Sequence, residues 1–345
     1  MNDSQDRFDR RTTIHDVARE AGVSIKTVSR VARQEPNVNK KTRDAVRAVI
    51  DRLGYRPTAS ARGSVSARSG LLGLILENPN PAYSLDLLRG AQKAARDNGY
   101  QLVVELLDSP DIARAIVDLV VQSNLEGLIV PPPLCDNPAI MQALESLGRP
   151  FACIAPNAQP PQGFMIGMDD REAAEAMTRH LIGLGHRRIG FIMGRKGTAT
   201  TARRLQGYRD AMAAAGLDTP EDLIAQGDFR LRSGLAAGAH LLDRPDRPTA
   251  VFASNDDMAA GVLMAAHRLG LDAPRDLSVS GFDDSATATA MWPPLTTVRQ
   301  PVPEMAAGAA QLIIDHQRAG DEDAPRCRKL PFQLIVREST GPAPG

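Results

Sequence analysis

Residues 13–57 read TIHDVAREAGVSIKTVSRVARQEPNVNKKTRDAVRAVIDRLGYRP, and apolar residues recur in this stretch at helical spacing. Thr13 can cap a first helix, whose apolar residues follow at i, i+3, i+4 and i+7. Gly22 suits the sharp turn that follows, because glycine adopts positive φ without strain. A second helix is predicted over 24–33 and a third over 40–53. Two short helices joined by A-G-V-S and braced by a third predict a helix-turn-helix.

The second predicted helix carries side chains on its outer face that the core does not need. Arg30 can pair bidentately with guanine, Lys26 can donate to guanine or phosphate, and Ile25 can contact a thymine methyl group. A small helical bundle with an arbitrary polar surface would show the same periodicity. Periodicity alone therefore leaves a DNA-binding head and a simple bundle both open.

Charge is distributed unevenly along a chain whose 41 basic and 41 acidic residues balance. Residues 1–68 hold 15 Lys and Arg against 8 Asp and Glu, and the other 277 residues hold 26 against 33. A basic head concentrates near polyanions, while an acidic body limits unspecific binding. An ordinary solvated charged face would also account for the surplus.

From residue 71 onward, short apolar runs alternate with helical patterns. Strands are predicted at 71–76, 101–106, 127–130, 151–154, 164–167, 188–193, 223–226, 250–253, 277–281 and 296–298. Helices are predicted between them, at 85–98, 112–122, 171–184, 204–215 and 257–269. This alternation predicts an α/β fold with two doubly wound parallel sheets. A ligand would then bind beyond the carboxyl ends of the strands, in a cleft between two lobes.

Composition and motifs exclude several classes of protein. With 43% apolar and 24% charged residues, the chain is typical of a folded soluble protein, and its apolar runs are too short to cross a membrane. A charged N-terminus without an apolar segment and three widely spaced cysteines predict a reduced, cytoplasmic protein. Asp283 and Asp284 are adjacent carboxylates, but no clustered histidines, metal set, phosphate loop or nucleophile elbow accompanies them. We therefore expect no enzyme, cofactor or metal site.

Several motifs together resemble LacI/GalR-type transcription regulators. In the head they are D-V-A-x-x-A-G-V-S, T-V-S-R-V, T-R-x-x-V and L-G-Y-R-P. In the body they are L-G-H-R-R-I-G-F-I, R-L-Q-G-Y, S-N-D, S-V-S-G-F-D-D and P-P-L-T-T-V, which resemble the effector-binding part of that family and, through it, periplasmic sugar-binding proteins. The resemblance covers roughly residues 12–340.

The resemblance implies three parts. These are an all-α helix-turn-helix head over 1–56, a hinge over 57–69, and a two-lobed, periplasmic-binding-protein-like effector and dimerisation domain over 70–340. The first lobe is expected at about 70–167 and 299–323, and the second at about 168–298 and 324–340, with a terminal strand at 332–336.

The DNA contacts implied by the resemblance fall into three groups. Base contacts are expected from Ile25, Lys26 and Arg30. Phosphate contacts are expected from Thr13, Ser24, Thr27, Ser29, Asn39 and Thr42. In the hinge, Pro57, Ala61 and Arg62 match the family, but Ser64 replaces the leucine that wedges into the minor groove, and the nearest apolar side chain is Val65. Either Val65 substitutes in a shifted register or the protein kinks DNA less than its relatives, and we favour the second.

The effector contacts implied by the resemblance are Tyr83, Asn78, Asp86, Arg204, Phe229, Asn255 and Asp283, of which Asn78 and Asp86 are the weaker candidates. Guanidinium, amide and carboxylate groups suit ligand hydroxyls, and two aromatic faces suit a sugar ring. Ala155 stands where the family often has an aspartate, which removes one hydroxyl acceptor. Each of these residues has a plainer alternative as a helix cap or a surface ion pair, and Asp256 is expected to be a cap.

The sequence thus predicts a sequence-specific repressor of carbohydrate-utilisation genes. It would bind a pseudo-palindromic operator as a homodimer, and a small carbohydrate bound between the lobes would control its operator affinity. A sugar-binding transport component is the rival, but it would need a signal peptide and no basic head.

Overall fold

A computed structural model describes residues 13–32, 38–53, 69–77, 81–107, 109, 111–319 and 326–345. The chain divides into two compact units, Met1–Gly70 and Leu71–Gly345. The helices of the first unit are α1 (Ile14–Ala21), α2 (Ile25–Ala32) and α3 (Lys40–Leu53). Valines from all three helices form its small core, with Val17, Val28 and Val46 fully buried. Gly22 adopts φ 63° between α1 and α2, so the predicted helix-turn-helix is present.

The second unit alternates strands and helices. Its strands are β1 (Leu71–Leu76), β2 (Gln101–Leu106), β3 (Gly127–Val130), β4 (Phe151–Ile154), β5 (Phe164–Gly167), β6 (Ile189–Met193), β7 (Ile224–Gln226), β8 (Ala250–Ala253), β9 (Ser278–Ser280), β10 (Thr297–Arg299), β11 (Cys327–Lys329) and β12 (Gln333–Ile335). Its helices are α4 (Pro81–Asp97), α5 (Ile112–Gln122), α6 (Pro138–Ser146), α7 (Asp170–Gly183), α8 (Ala199–Ala214), α9 (Leu231–Leu242), α10 (Asp256–Arg268), α11 (Ala286–Ala290) and α12 (Val302–Ala319). No helix in the described residues is long and apolar enough to span a membrane.

Two parallel sheets define the two lobes. The first lobe is built on a sheet of order β11-β5-β4-β3-β1-β2 and the second on a sheet of order β7-β6-β8-β9. Strand β10 pairs with β12 antiparallel, and bridges at Ser280–Thr296 and Asp283–Arg299 connect it to the region of β9. The central strands of both sheets are buried on both sides, which explains their apolar sequences.

The structure corrects one part of the predicted lobe division. Residues 324–340 were expected in the second lobe, but Cys327–Lys329 pairs with β5 in the first-lobe sheet. This strand reads C-R-K and is exposed along its length, so it lacks the apolar pattern that marks the other strands. The boundaries at residues 56 and 69 remain predictions, since residues 54–68 lie outside the described part.

The chain passes between the lobes three times, through short segments. These crossings lie at residues 168–169, 300–301 and 330–332. After the second crossing, α12 returns to the first lobe and buries Met305, Ala309 and Ile313 against it. Because the carboxyl ends of both parallel sheets carry the connecting loops, those ends are the places where polar side chains can converge.

Candidate functional site

Helix α2 presents its first residues outward. Val28 and Val31 are buried in the head core, whereas Ile25 is 43% exposed and Lys26 is exposed beside it. An apolar side chain of this size at a helix start, next to a cation, is suited to base edges in the major groove. Arg30 and Ser29 lie one turn further along and are partly buried.

Three of the predicted phosphate contacts cap helices of the head. Thr13 and Asp16 form a reciprocal capping box at α1, and the Ser24 hydroxyl accepts from Thr27 N at 3.2 Å. Asn39 Oδ1 accepts from Thr42 N at 2.8 Å at the start of α3. All three side chains therefore accept hydrogen bonds at helix N-termini in the structure. Helix N-termini also attract phosphate, so their predicted DNA contacts stay open.

Three other predicted contacts lie outside the described residues. They are Ala61 and Val65 in the predicted hinge and Asn78 after β1. Their roles remain predictions, as does the question of how far the protein kinks DNA.

A cavity of about 370 Å³ lies between the two lobes, at the carboxyl ends of the strands. Five of the predicted effector residues line it, namely Tyr83, Arg204, Phe229, Asn255 and Asp283. Asp86 is not among the lining residues, and its carboxylate lies 3.5 Å from Arg89 Nη1 on the surface of α4. The structure thus brings together residues that are up to 200 positions apart in the sequence.

Arg204 on α8 is held by protein groups from several directions. Its Nε donates to Asp170 Oδ1 at 2.8 Å and its Nη1 donates to the Ser254 carbonyl at 2.6 Å. The guanidinium carbon lies 3.6 Å from the centre of the Phe282 ring. Both partners of the Arg204–Asp170 ion pair are almost completely buried, with side-chain exposures of 4% and 1%. The guanidinium is therefore fixed in orientation before any ligand arrives.

Asp283 reaches the cavity from an unusual backbone conformation, with φ 115°. Its Oδ1 accepts from Gln300 Nε2 at 2.6 Å. Burial raises the pKa of the Asp283 carboxyl, and the nearby Arg204 charge opposes that rise. A carboxyl with a raised pKa can serve as either donor or acceptor toward a ligand hydroxyl.

Asn255 combines a structural role with its place in the cavity. Its Oδ1 accepts from Met258 N at 3.0 Å and caps α10, and its Nδ2 donates to the Phe229 carbonyl at 2.9 Å. Phe229 itself adopts φ 70°. One Nδ2 proton and one Oδ1 lone pair remain for a ligand.

Asp256 was expected to cap a helix, and this prediction is wrong, because Asn255 caps α10 and the Asp256 side chain bonds to distant segments instead. The carboxylate accepts from Ser285 N at 2.7 Å and from Thr297 Oγ1 at 2.6 Å, and the residue is fully buried. Burial raises the pKa of this carboxyl as well.

Sequence reasoning missed the contacts that join the two lobes around the cavity. Asp136 Oδ2 accepts from Ala199 N at the start of α8 at 2.9 Å, and its Oδ1 accepts from Asn157 N at 2.8 Å. At the rim, Arg195 Nη2 lies 3.1 Å from Glu77 Oε1 across the cleft. The position of Asp136, shortly after the carboxyl end of β3, was the one available signal. No group of three potential metal ligands occurs among the described residues.

Comparisons with known proteins agree with this arrangement. Residues 13–58 match the family of bacterial regulatory proteins named lacI, and residues 178–340 match a periplasmic binding protein-like domain. The chain is 34% identical over 337 residues to the HTH-type transcriptional regulator DegA of Bacillus subtilis, covering 96% of this chain and 99% of DegA.

Two solved structures share the fold over nearly the whole chain. A complex of the transcriptional regulator CelR with cellobiose has a TM-score of 0.73 and 32% identity, covering 95% of this chain and 100% of CelR. The lac repressor dimer bound to operator and the anti-inducer ONPF has a TM-score of 0.86 and 26% identity, covering 96% and 100%. On this evidence the chain belongs to the lacI family of bacterial regulatory proteins.

Proposed function

We propose that this protein is a sequence-specific repressor of carbohydrate-utilisation genes whose operator affinity is controlled by a carbohydrate bound between its lobes. The carrying observation is that one chain holds both an outward-facing recognition helix and an interlobe cavity lined by Arg204 and Asp283. On this proposal the protein regulates without catalysing a reaction and works in the cytoplasm.

The head supports the DNA-binding half of the proposal through its chemistry. Residues 1–68 carry the basic surplus, and the start of α2 offers an exposed cation and an exposed apolar side chain. Phosphate contacts from the helix N-termini would fix the register of the head. Base contacts from Ile25, Lys26 and Arg30 would supply the selectivity.

A second copy of the chain is the partner that the exposed apolar side chains favour. Strand β2 is an edge strand that pairs with β1 in the described sheet, and Leu106 at its end is 60% exposed. Trp292, the single tryptophan, is 84% exposed. Large exposed apolar side chains mark interaction surfaces. A two-fold dimer would place two copies of α2 on symmetry-related half-sites, so the operator should be a pseudo-palindrome.

The cavity between the lobes supports the effector-binding part of the proposal. The guanidinium of Arg204, the carboxyl of Asp283 and the amide of Asn255 can each form hydrogen bonds with hydroxyl groups. The aromatic side chains Tyr83 and Phe229 supply flat surfaces for a ring. Effector and operator must then affect each other's affinity by the same factor, because the coupling free energy is reciprocal.

A binding assay with both ligands tests this proposal. Fluorescence anisotropy should show that the protein prefers one pseudo-palindromic promoter fragment over a scrambled duplex, with an affinity that falls steeply as salt rises. A carbohydrate that raises the melting temperature of the protein should change that affinity. Transcription from the fragment should then be repressed in only one of two conditions, either with or without that carbohydrate. Equal binding to fragment and scrambled duplex under all conditions would refute the proposal.

A further inference from the structure

The first turn of helix α8 bonds to two loops of the first lobe at one side of the cavity. The residues of this contact, which we call the latch, are Asp136, Pro156, Asn157, Ala199 and Arg203. We propose that the latch holds the two lobes closed over the cavity whether or not an effector is bound. It sets the arrangement of the lobes whichever ligand the cavity takes.

Two neighbouring faces of α8 have different partners. Thr200 and Arg204 are four residues apart and line the cavity. Ala199 and Arg203 each precede one of them by a single position and bond to the first lobe. Residues four apart lie one above the other on a helix, so each pair forms a continuous stripe. A movement of α8 away from the first lobe would therefore also move Arg204 away from the first-lobe wall of the cavity.

The backbone N–H of Ala199 finds its acceptor in the other lobe. Ala199 is the first residue of α8, and the first N–H groups of a helix have no acceptor within that helix. Asp136 Oδ2, shortly after β3 in the first lobe, accepts from this N–H at 2.9 Å. The carboxylate also lies at the helix end where the dipole favours a negative charge. Closure of the lobes thus supplies α8 with a partner that its own sequence does not provide.

The loop after β4 is held at its backbone from two directions. Asp136 Oδ1 accepts from Asn157 N at 2.8 Å within the first lobe. From the second lobe, Arg203 Nη2 donates to the Asn157 carbonyl at 2.9 Å and to the Pro156 carbonyl. Hydrogen bonds from a guanidinium are stronger than those between neutral groups. Every bond of the latch joins two protein groups, so the closed arrangement needs no contribution from a ligand.

The latch is stronger than the ion pair at the rim of the cavity. The side chains of Arg195 and Glu77 are 47% and 21% exposed, and exposed ion pairs contribute little to stability. The fraction of closed molecules is therefore set mainly by the latch. An effector that binds only the closed lobes has its affinity reduced in proportion to the fraction that is open. The latch would thus determine how sensitive the protein is to its effector.

Amide hydrogen exchange at Ala199 measures the latch directly, because this N–H loses its acceptor when the lobes separate. The measurement is made at residue resolution on the full chain with no carbohydrate added. The Ala199 amide should be protected, and Arg203→Ala should reduce its protection about tenfold, since the bonds to two carbonyls are lost. Asp136→Asn keeps an acceptor but removes its charge, and it should reduce the protection about threefold.

The matched control is Arg209→Ala. Arg209 also lies on α8, but its Nη2 bonds to Glu221 Oε1 within the second lobe at 2.7 Å, so Ala199 should keep its protection. A reference amide is that of Arg114, which donates to the capping Asp111 carboxylate within the first lobe at 3.0 Å. Its exchange should be the same in all variants.

Distances between spin labels show whether the lobes themselves separate. The labels are attached through Ala139→Cys and Ala213→Cys, at exposed positions in the first and second lobe, in a Cys327→Ser background that removes the exposed native thiol. An excess of unlabelled chain suppresses distances between different copies. Without carbohydrate, the distance distribution should be single and narrow. Arg203→Ala should add a longer component, and Arg209→Ala should not.

Three results would overturn the latch. The first is an Ala199 amide that exchanges as fast as an unprotected amide in the otherwise unchanged protein. The second is an Arg203→Ala variant in which neither exchange nor distance changes. The third is faster exchange without a longer distance, which would mean that the first turn of α8 frays while the lobes stay together. If Arg203→Ala does not fold, Asp136→Asn decides between the same outcomes.

Discussion

The recognition helix and the interlobe cavity place their functional side chains in opposite states. On α2, Ile25 and Lys26 extend into solvent from a helix whose other face is fixed by buried valines. In the cavity, Arg204, Asn255 and Asp283 are already bonded to other protein groups. A surface that recognises DNA can display its side chains without cost to the core. A cavity between two lobes must satisfy its polar groups even when no ligand is bound.

Because of this difference, a substitution in the head can change DNA binding without changing stability, whereas a substitution in the cavity changes both effector binding and stability. A side chain on the outer face of α2 can change with little effect on folding. A side chain such as Arg204 cannot, because its removal leaves buried partners without compensation. Four substitutions can break or sharpen this contrast.

The largest effect is expected from Arg204→Met. This change leaves the Asp170 carboxylate buried without its cation, so the free energy of unfolding should fall by about 3–5 kcal/mol, and the effector response should disappear. Urea denaturation measures the first effect and calorimetry the second. The double variant Arg204→Met/Asp170→Leu should recover part of the stability but not the response. A loss below about 1 kcal/mol would show that the ion pair is not a fixed part of the second lobe.

Arg30→Ala should affect the DNA-binding surface of α2 alone. Operator binding should weaken by about 1–3 kcal/mol and selectivity over scrambled duplex should fall, whereas stability and effector binding should stay unchanged. Anisotropy at one fixed salt concentration provides the measurement. The matched control Arg47→Ala removes the same charge from an exposed position on α3 and should leave selectivity unchanged. A simultaneous loss of DNA binding and effector binding would indicate misfolding and contradict the contrast.

Asp283→Asn should change how stability depends on pH. Because the pKa of Asp283 is raised in the folded state, the folded protein retains this proton to a higher pH than the unfolded chain. Stability should therefore decrease as pH rises from the ordinary aspartate pKa toward the raised value, by up to about 1.4 kcal/mol per pH unit for one group. Asparagine should make that decrease shallower, as measured by urea midpoints between about pH 5 and pH 7.

Asp136→Asn is expected to have the smallest effect. The charged group at the start of α8 becomes neutral, which weakens one contact between the lobes by about 0.5–1 kcal/mol and effector affinity by about two- to fivefold. The control is Asp111→Asn, because Asp111 caps α5 within the first lobe. It should reduce stability without changing effector affinity. Equal effects of the two changes on affinity would mean that Asp136 acts only as a helix cap.

Sequence reasoning succeeded where a residue's environment is set locally. The strands of the first sheet from β1 to β5 begin and end as predicted. The central strands β1, β3 and β4 were the easiest to recognise, because parallel strands buried on both faces read as apolar runs. The cap of the first head helix was also readable, since Thr13 directly precedes the turn that it caps, whereas Asn39 was predicted only as a phosphate contact. The family motifs supplied five of the residues that line the cavity.

Sequence reasoning failed where a contact is made between segments that are distant in the sequence. Strand β11 carries no apolar pattern, and its place in the sheet depends on pairing with β5, about 160 residues earlier. Asp136 resembles any loop aspartate until the start of α8 lies beside it. The motif named Arg204 as a donor to ligand hydroxyls, but not that Asp170 and the Ser254 carbonyl already hold two of its donors.

The second crossing between the lobes is hydrogen-bonded directly to a residue that lines the cavity. Gln300 is one of its two residues, and its side chain donates to Asp283 Oδ1 where both residues line the cavity. A ligand hydroxyl that bonds to this oxygen would therefore compete with a residue of a segment that connects the lobes. Because three short connections run between the lobes, bending must be absorbed by backbone rotation in a handful of residues. The Asp283 carboxyl is thus bonded directly to one of the few residues whose backbone would have to rotate if the angle between the lobes changed.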